Sequence, residues 1–148
     1  MKKIRLGVIG TGLAWERLHY PAIQELADKY EIVALANRTK KDAEDFARKI
    51  NLDLKNVYDD YKEMLKRDDL DAVDILVPIP MNYEVSRNVA KAGKHFICEK
   101  PLAPDMGQAR KFLQLSKEYG SIIMMIAENY RYNEENNKIK QMVQSGKI

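Results

Sequence analysis

Cysteine is almost missing from this sequence: its 148 residues include one, Cys98, and only two histidines, His19 and His95. A single thiol excludes an internal disulfide, and these three residues lack the spacing of a metal site. A Cys-His nucleophile pair is formally available, yet a lone cysteine inside the apolar run Phe96-Ile97-Cys98 reads more readily as a packed core residue. Long apolar runs are missing too. The longest, Ile122 to Ala127, falls far below the roughly 20 residues a membrane helix needs, so no membrane partner is expected. The opening MKKIRLGVIG has the basic start of an export signal, but glycines interrupt its apolar part, and Glu16-Arg17 follow where a small-residue cleavage site belongs. A cytoplasmic protein is the expectation. Nor does one sign of charge dominate: 25 Lys and Arg face 22 Asp and Glu, for a net charge of +3. The charges are interspersed and form no basic stripe carrying aromatics, which argues against nucleic acid. Without an internal repeat, low-complexity tract or flexible linker, the chain reads as one domain over 1–148, long enough to bury its own core.

What is present is an alternation. Short β-rich runs at Ile4 to Ile9, Ile32 to Ala36, Val57-Tyr58, Val73 to Val77, His95 to Cys98 and Ile122 to Ala127 are separated by segments of helical period. Pro21 suits a first helical turn, with Ala22, Ile23, Leu26 and Ala27 on one face. Thr39, Asp60 and Asp105 are candidate helix caps, and Gly93, Gly120 and Gly146 are candidate stops. A last helix holds Ile139, Met142 and Val143. Six strands joined by helices, with no hairpin signal between them, require parallel pairing with crossovers on both faces. The fold class is therefore α/β, a doubly wound parallel sheet of about six strands. Ligands of such sheets bind outside the carboxyl ends of the strands, where strand order reverses.

Five strand ends are unusual. After the first comes Gly10-Thr11-Gly12-Leu13-Ala14-Trp15, a G-x-G-x-x turn between strand and helix, whose glycines let backbone N–H groups approach a pyrophosphate. Trp15 replaces the small third residue, so either the turn is one residue longer or the helix starts later. After the second comes Asn37-Arg38-Thr39, where an NAD-preferring fold places a carboxylate on the ribose. Asn37 and Thr39 can donate to a 2′-phosphate and Arg38 can clamp it, which favours NADP over NAD. Alternatively, Arg38, Lys40 and Lys41 are a solvated helix start. After the fourth, Pro78-Ile79-Pro80 forms either a rigid wall for a ribose or nicotinamide, or a simple corner with Asn82 as cap. After the fifth, Glu99-Lys100-Pro101 sets a carboxylate and a lysine at a strand end; the plain alternative is a surface lysine. Behind the sixth, Glu128-Asn129-Tyr130-Arg131-Tyr132 gathers polar and aromatic residues.

Taken in order, Gly10-Thr-Gly12, His19-Tyr-Pro21-Ala-Ile23, Gly93 through Glu99-Lys100-Pro101-Leu and Glu128-Asn129-Tyr-Arg131-Tyr resemble the N-terminal domain of the Gfo/Idh/MocA oxidoreductases. The resemblance covers the whole chain and implies a Rossmann-type domain that binds NAD or NADP. It further implies that Lys100 lies beside the nicotinamide and the substrate hydroxyl or carbonyl, with Glu99 near the nicotinamide ribose and Asn129 lining the nicotinamide site. A fixed ammonium there would stabilise alkoxide charge or donate a proton. Pro101 is the candidate for a cis bond. The family's second α/β domain, which carries acid-base residues, substrate contacts and much of a homo-oligomer interface, is expected to be absent from this chain. The implied substrate is a sugar, cyclitol or related small molecule, with little turnover by this domain alone. A free-standing NADP-binding sensor and a domain for another phosphorylated ligand stay open.

Overall fold

The computed structural model describes residues 2–147, and its strands pair in parallel throughout. Strands β1 (Ile4–Ile9), β2 (Tyr30–Ala36), β3 (Val57–Tyr58), β4 (Ala72–Ile75), β5 (His95–Cys98) and β6 (Met124–Ile126) form one sheet in the order β3-β2-β1-β4-β5-β6. Helices α1 (Tyr20–Glu25), α2 (Lys40–Lys49), α3 (Tyr61–Met64), α4 (Asn82–Lys91) and α5 (Met106–Glu118) make the crossovers, and α6 (Glu134–Gln144) follows β6. Each parallel return needs such a crossover, and its right-handedness sends the helices of the β1-β2-β3 and β4-β5-β6 halves to opposite faces of the sheet. The expected doubly wound α/β sheet of six strands is the observed fold.

Residue alternation along the strands splits the core in two. On one face, Val8, Leu35 and Val57 pack with Ala43, Phe46 and Ala47 of α2 and with Trp15. On the other, Ile9, Ala34, Ala36, Val73, Ile75, Phe96 and Cys98 pack with Met64, Val85, Val89, Ala90 and Leu115 from α3, α4 and α5. Trp15 is fully buried, its ring centroid 5.8 Å from that of Tyr20 and 5.7 Å from that of Phe46. The Trp15–Phe46 contact is edge-to-face, a geometry that adds about 0.5–1.5 kcal/mol beyond area burial.

Local details depart from the sequence pattern for physical reasons. Helical backbone starts at Leu13 and widens into a π-helical turn at Trp15–His19 before α1, where the Tyr20 N–H bonds the Trp15 carbonyl. The wider turn admits the indole where a small residue was expected. Helix α1 then ends at Glu25, and Leu26 and Ala27 are exposed, so the expected apolar face is covered mainly at Ile23. Strand β4 stops at Ile75 rather than Val77. Strand β6 spans three residues, although Phe96 N–H to the Ile123 carbonyl and Ala127 N–H to the Cys98 carbonyl extend its pairing. It is an edge strand, and Ile123 and Met125 are exposed. Ile139, Met142 and Val143 of α6 are also exposed among the described residues, so periodicity there marks a face without marking its cover. Asp60 and Asp105 cap α3 and α5 as expected, whereas Thr39 occupies the N-cap of α2 without a side-chain bond.

At the amino edge of the sheet, away from the strand ends of interest, Asp71 accepts from the Arg5 backbone N–H at 2.8 Å and from its Nε at 3.0 Å and second terminal nitrogen at 2.8 Å. These bonds hold the Asp71 carboxyl well below its ordinary value of 3.8. A depressed folded-state pKa contributes stability that is present above the unfolded value and is lost as pH falls through the folded one. Asp71→Asn should therefore flatten the acid limb of the stability profile while leaving nucleotide binding unchanged. Urea midpoints from about pH 2 to pH 6 check this, and two parallel acid limbs would contradict it.

Candidate functional site

Strands β1 and β4 lie side by side while the chain leaves them in opposite directions, so the crevice between their carboxyl ends is the switch point of the sheet. Gly10 turns the chain there with φ +97°, and a Cβ on it would lie 2.1 Å from the Leu76 carbonyl oxygen. Gly12 differs: a Cβ there would meet nothing within 4 Å. The space it faces is a crevice of about 300 Å³ lined by Gly12, Leu13, Ala14, Trp15, Leu76, Val77 and Pro78. Ile79 starts a short 3-10 turn, Ile79–Met81, outside that lining. Among the described residues the buried Thr11 hydroxyl has no partner, and the first-turn N–H groups of a helix have no intrahelical acceptor. An open glycine, an orphaned hydroxyl and a helix start together fit a pyrophosphate. A larger groove, of about 370 Å³, runs between α1 and the start of β2 and holds none of the residues that follow the strand ends.

At the end of β2, Asn37 gives its amide to the Thr39 carbonyl at 3.1 Å, and the same nitrogen lies 3.5 Å from Asp42 Oδ2. The amide thus braces the turn, and the Asp42 carboxylate stands close by. Arg38 and Thr39 are exposed.

The end of β5 is held from beneath. The Glu99 N–H bonds the Ile75 carbonyl at 2.9 Å, and the Lys100–Pro101 peptide is cis. Asn82, only 1% exposed, does not cap α4; Met81 occupies that position. Its amide instead donates to the Glu99 carbonyl at 3.3 Å and the Pro101 carbonyl at 3.0 Å, strapping the backbone on both sides of Lys100. The Lys100 side chain is exposed, while Glu99 turns inward, its Oε1 3.3 Å from His19 Nε2. His19 Nδ1 lies 2.8 Å from Oδ2 of Asp74, which is 2% exposed in the middle of β4. Burial lowers His19, but the bonds and charges of Asp74 and Glu99 outweigh it and leave the ring raised above its ordinary 6.5. Burial also raises Asp74, against the pull of His19. Cys98 is fully buried, its thiol pushed up by burial to about 11, and the His95 Nδ1 accepts the Ile123 N–H; no Cys-His pair forms.

Asn129 stands apart from these groups, exposed at the start of the 3-10 turn Asn129–Tyr132 beyond β6. From the end of β2 to that of β6 is four strand spacings, roughly 19 Å. The candidate residues therefore form a row: Asn37 to Thr39, then Gly10 to Ala14 facing Pro78, then Glu99 and Lys100, then Asn129. Sequence reasoning assigned no role to Asp74 and no part in the site to Asn82. A carboxylate inside Val73-Asp74-Ile75 was the available signal, because a charge in a buried strand needs a partner.

The profile of the Gfo/Idh/MocA oxidoreductase family, NAD-binding Rossmann fold, matches residues 4–127. An oxidoreductase of known structure from Thermotoga maritima is 36% identical with a TM-score of 0.91, covering 99% of this chain and 44% of its own. A 3-ketoreductase variant from Actinomadura kijaniata, solved in complex with TDP-benzene and NADP, is 29% identical with a TM-score of 0.84 over 98% of this chain and 43% of that one. A dTDP-3,4-didehydro-2,6-dideoxy-alpha-D-glucose 3-reductase of Actinomadura kijaniata is 32% identical over 98% of this chain and 42% of its length. The chain spans about two fifths of the length of the curated relatives it matches. Among the described residues no helix is long and apolar enough to cross a membrane, and no three His, Cys, Asp or Glu side chains gather as metal ligands. In sheet order, switch-point crevice and matched profile, the chain belongs to the Gfo/Idh/MocA oxidoreductase family through its NAD(P)-binding Rossmann domain.

Proposed function

We propose that this chain is the cofactor domain of an NADP-preferring oxidoreductase acting on a hydroxyl or carbonyl of a sugar, cyclitol or related compound. The observation that carries the reading is the row of strand ends: an open Gly12 at the switch point and, on the far side of β4, a lysine whose backbone is strapped by Asn82. Gly10 to Ala14 would hold the pyrophosphate, Asn37 to Thr39 the 2′-phosphate, Pro78 and Ile79 a flanking wall, and Glu99 and Asn129 the nicotinamide ribose and nicotinamide site. The bound cofactor would supply or accept hydride, and Lys100 would face the reacting oxygen. The similarity to a reductase of a sugar nucleotide supports a carbohydrate-like substrate. Residues beyond this domain would supply the remaining acid-base groups and substrate contacts, so the domain alone would turn over little.

Trp15 lines the crevice and is the sole tryptophan, so its fluorescence should report occupancy. NADPH is expected to bind more tightly than NADH. Arg38→Ala should weaken NADPH roughly tenfold by removing a charge-assisted clamp, with NADH unchanged. Equal affinities in the unaltered chain would remove the NADP preference. A folded chain that binds neither nucleotide would remove the cofactor reading. Tight binding by a longer protein that never turns over any polyol or keto-sugar would favour a sensor.

A further inference from the structure

Asp74 and His19 have no place in the proposed function, yet they form the most deeply buried ionisable pair described. The side chains of His19, Asp74 and Glu99 are 13%, 2% and 14% exposed. His19 thus has a carboxylate at each ring nitrogen, 2.8 Å away at Nδ1 and 3.3 Å at Nε2, and the second oxygen of Asp74 has no partner among the described residues. A neutral imidazole carries one N–H and would turn a lone pair toward one of the two carboxylates. Both contacts are satisfied when an extra proton is held between His19 and Asp74, the more deeply buried of the two carboxylates. Whether that proton rests on Nδ1 or on Oδ2, the Nε2 hydrogen faces Glu99.

We propose that His19 is a positioning residue: Asp74 anchors the ring through Nδ1, and the Nε2 hydrogen holds the Glu99 carboxylate at the end of β5, beside the end of β4 whose following residues line the crevice. This rests on the cofactor reading above and extends it, since a carboxylate held in one rotamer presents a fixed acceptor to a ribose hydroxyl. The other groups nearby do not supply the same restraint. Glu16, on the same turn, pairs with Lys49 of α2 at 2.7 Å; Arg17 and Lys100 are exposed; and the buried Cys98 thiol stays uncharged because burial raises it. His19 itself is raised by its two carboxylates against burial, so the extra proton stays through the ordinary histidine range and leaves as pH climbs through the raised value.

The chain has two histidines in contrasting settings, which makes the test direct. Nitrogen-15 NMR of histidine-labelled chain near pH 6.5, the ordinary value above which His19 is raised, should find hydrogen on His19 Nε2, and a hydrogen-bonded proton shared at its Nδ1. His95 Nδ1, which accepts the Ile123 N–H, should read as a bare acceptor in the same spectrum. A bare His19 Nε2 would overturn the proposal. In parallel, NADPH titrations across pH should show affinity falling as the extra proton leaves. His19→Ala should weaken binding roughly tenfold and flatten that profile, and His19→Gln, whose amide can still donate to one carboxylate, should restore part of the affinity. Circular dichroism reports whether each variant is folded. A folded His19→Ala chain with unaltered affinity and pH profile would overturn the positioning role. If the unaltered chain binds neither nucleotide, the cofactor reading fails, while the NMR result still decides whether His19 holds Glu99.

Discussion

Gly10→Ala should cost this domain much of its stability, whereas Gly12→Ala, two residues on, should leave stability intact and remove nucleotide binding. At Gly10 the backbone lies at φ +97°, a left-handed region that costs a side-chain-bearing residue about 1–2 kcal/mol. The added Cβ would also sit 2.1 Å from the Leu76 carbonyl oxygen, which is backbone and cannot swing away. Leu76 is itself tied, its N–H bonding the Ile9 carbonyl at 2.8 Å. Relief therefore means parting the ends of β1 and β4, and a loss on the order of 3–5 kcal/mol is expected. That is a large share of the roughly 5–15 kcal/mol by which domains are stable. Gly12 lies outside the left-handed region, and its Cβ would point into open space, so the urea midpoint should move by no more than about 0.5 kcal/mol. The same methyl would occupy the approach a phosphate needs, and NADPH affinity should fall at least about tenfold. Equal midpoints for both variants would mean that the turn has room the Leu76 carbonyl denies; unchanged binding by Gly12→Ala would move the phosphate elsewhere.

The two glycines show how much of the molecule could be read before its coordinates. Their place between strand and helix was legible, as was the whole parallel sheet, because apolar runs and crossovers leave few other topologies. Their different duties were not, since these depend on the Leu76 carbonyl, 66 residues further along the chain. Trp15 was legible as an anomaly; its solution, a π-helical turn that seats the indole against Tyr20 and Phe46, needed packing partners from two helices. Asn82 was readable as a cap because its type and position suited one. The bonds it makes to Glu99 and Pro101 arise only because β4 and β5 are neighbours. Likewise, Asp74 announced a buried charge without naming His19, 55 residues earlier, as its partner. The exposed face of α6 illustrates the opposite limit: periodicity marked Ile139, Met142 and Val143 as one stripe, but a stripe does not state what lies against it.

Lys100→Ala, made in a protein that carries this domain and turns over a substrate with NADPH, should lower turnover by about 10² to 10⁴-fold while changing NADPH affinity only a few-fold. The separation follows from how the residue is held. Asn82 fixes the carbonyls of Glu99 and Pro101, and the Glu99 N–H is bonded to Ile75, so the backbone at Lys100 keeps its course when the side chain is cut. The exposed ammonium packs into neither core, so its removal opens no cavity. What is lost is a cation at the carboxyl edge of β5, where hydride reaching a carbonyl carbon would leave charge on oxygen. Lys100→Arg keeps the charge, but its guanidinium stays protonated and spreads that charge over a planar fork. It should recover part of the electrostatic contribution and none of the proton donation, leaving turnover between the other two. Steady-state kinetics with NADPH and a keto-sugar, beside fluorescence titration of the same variants, separates the two effects. Turnover equal to that of the unaltered protein would remove Lys100 from the chemistry and reduce the strap beneath it to a structural corner.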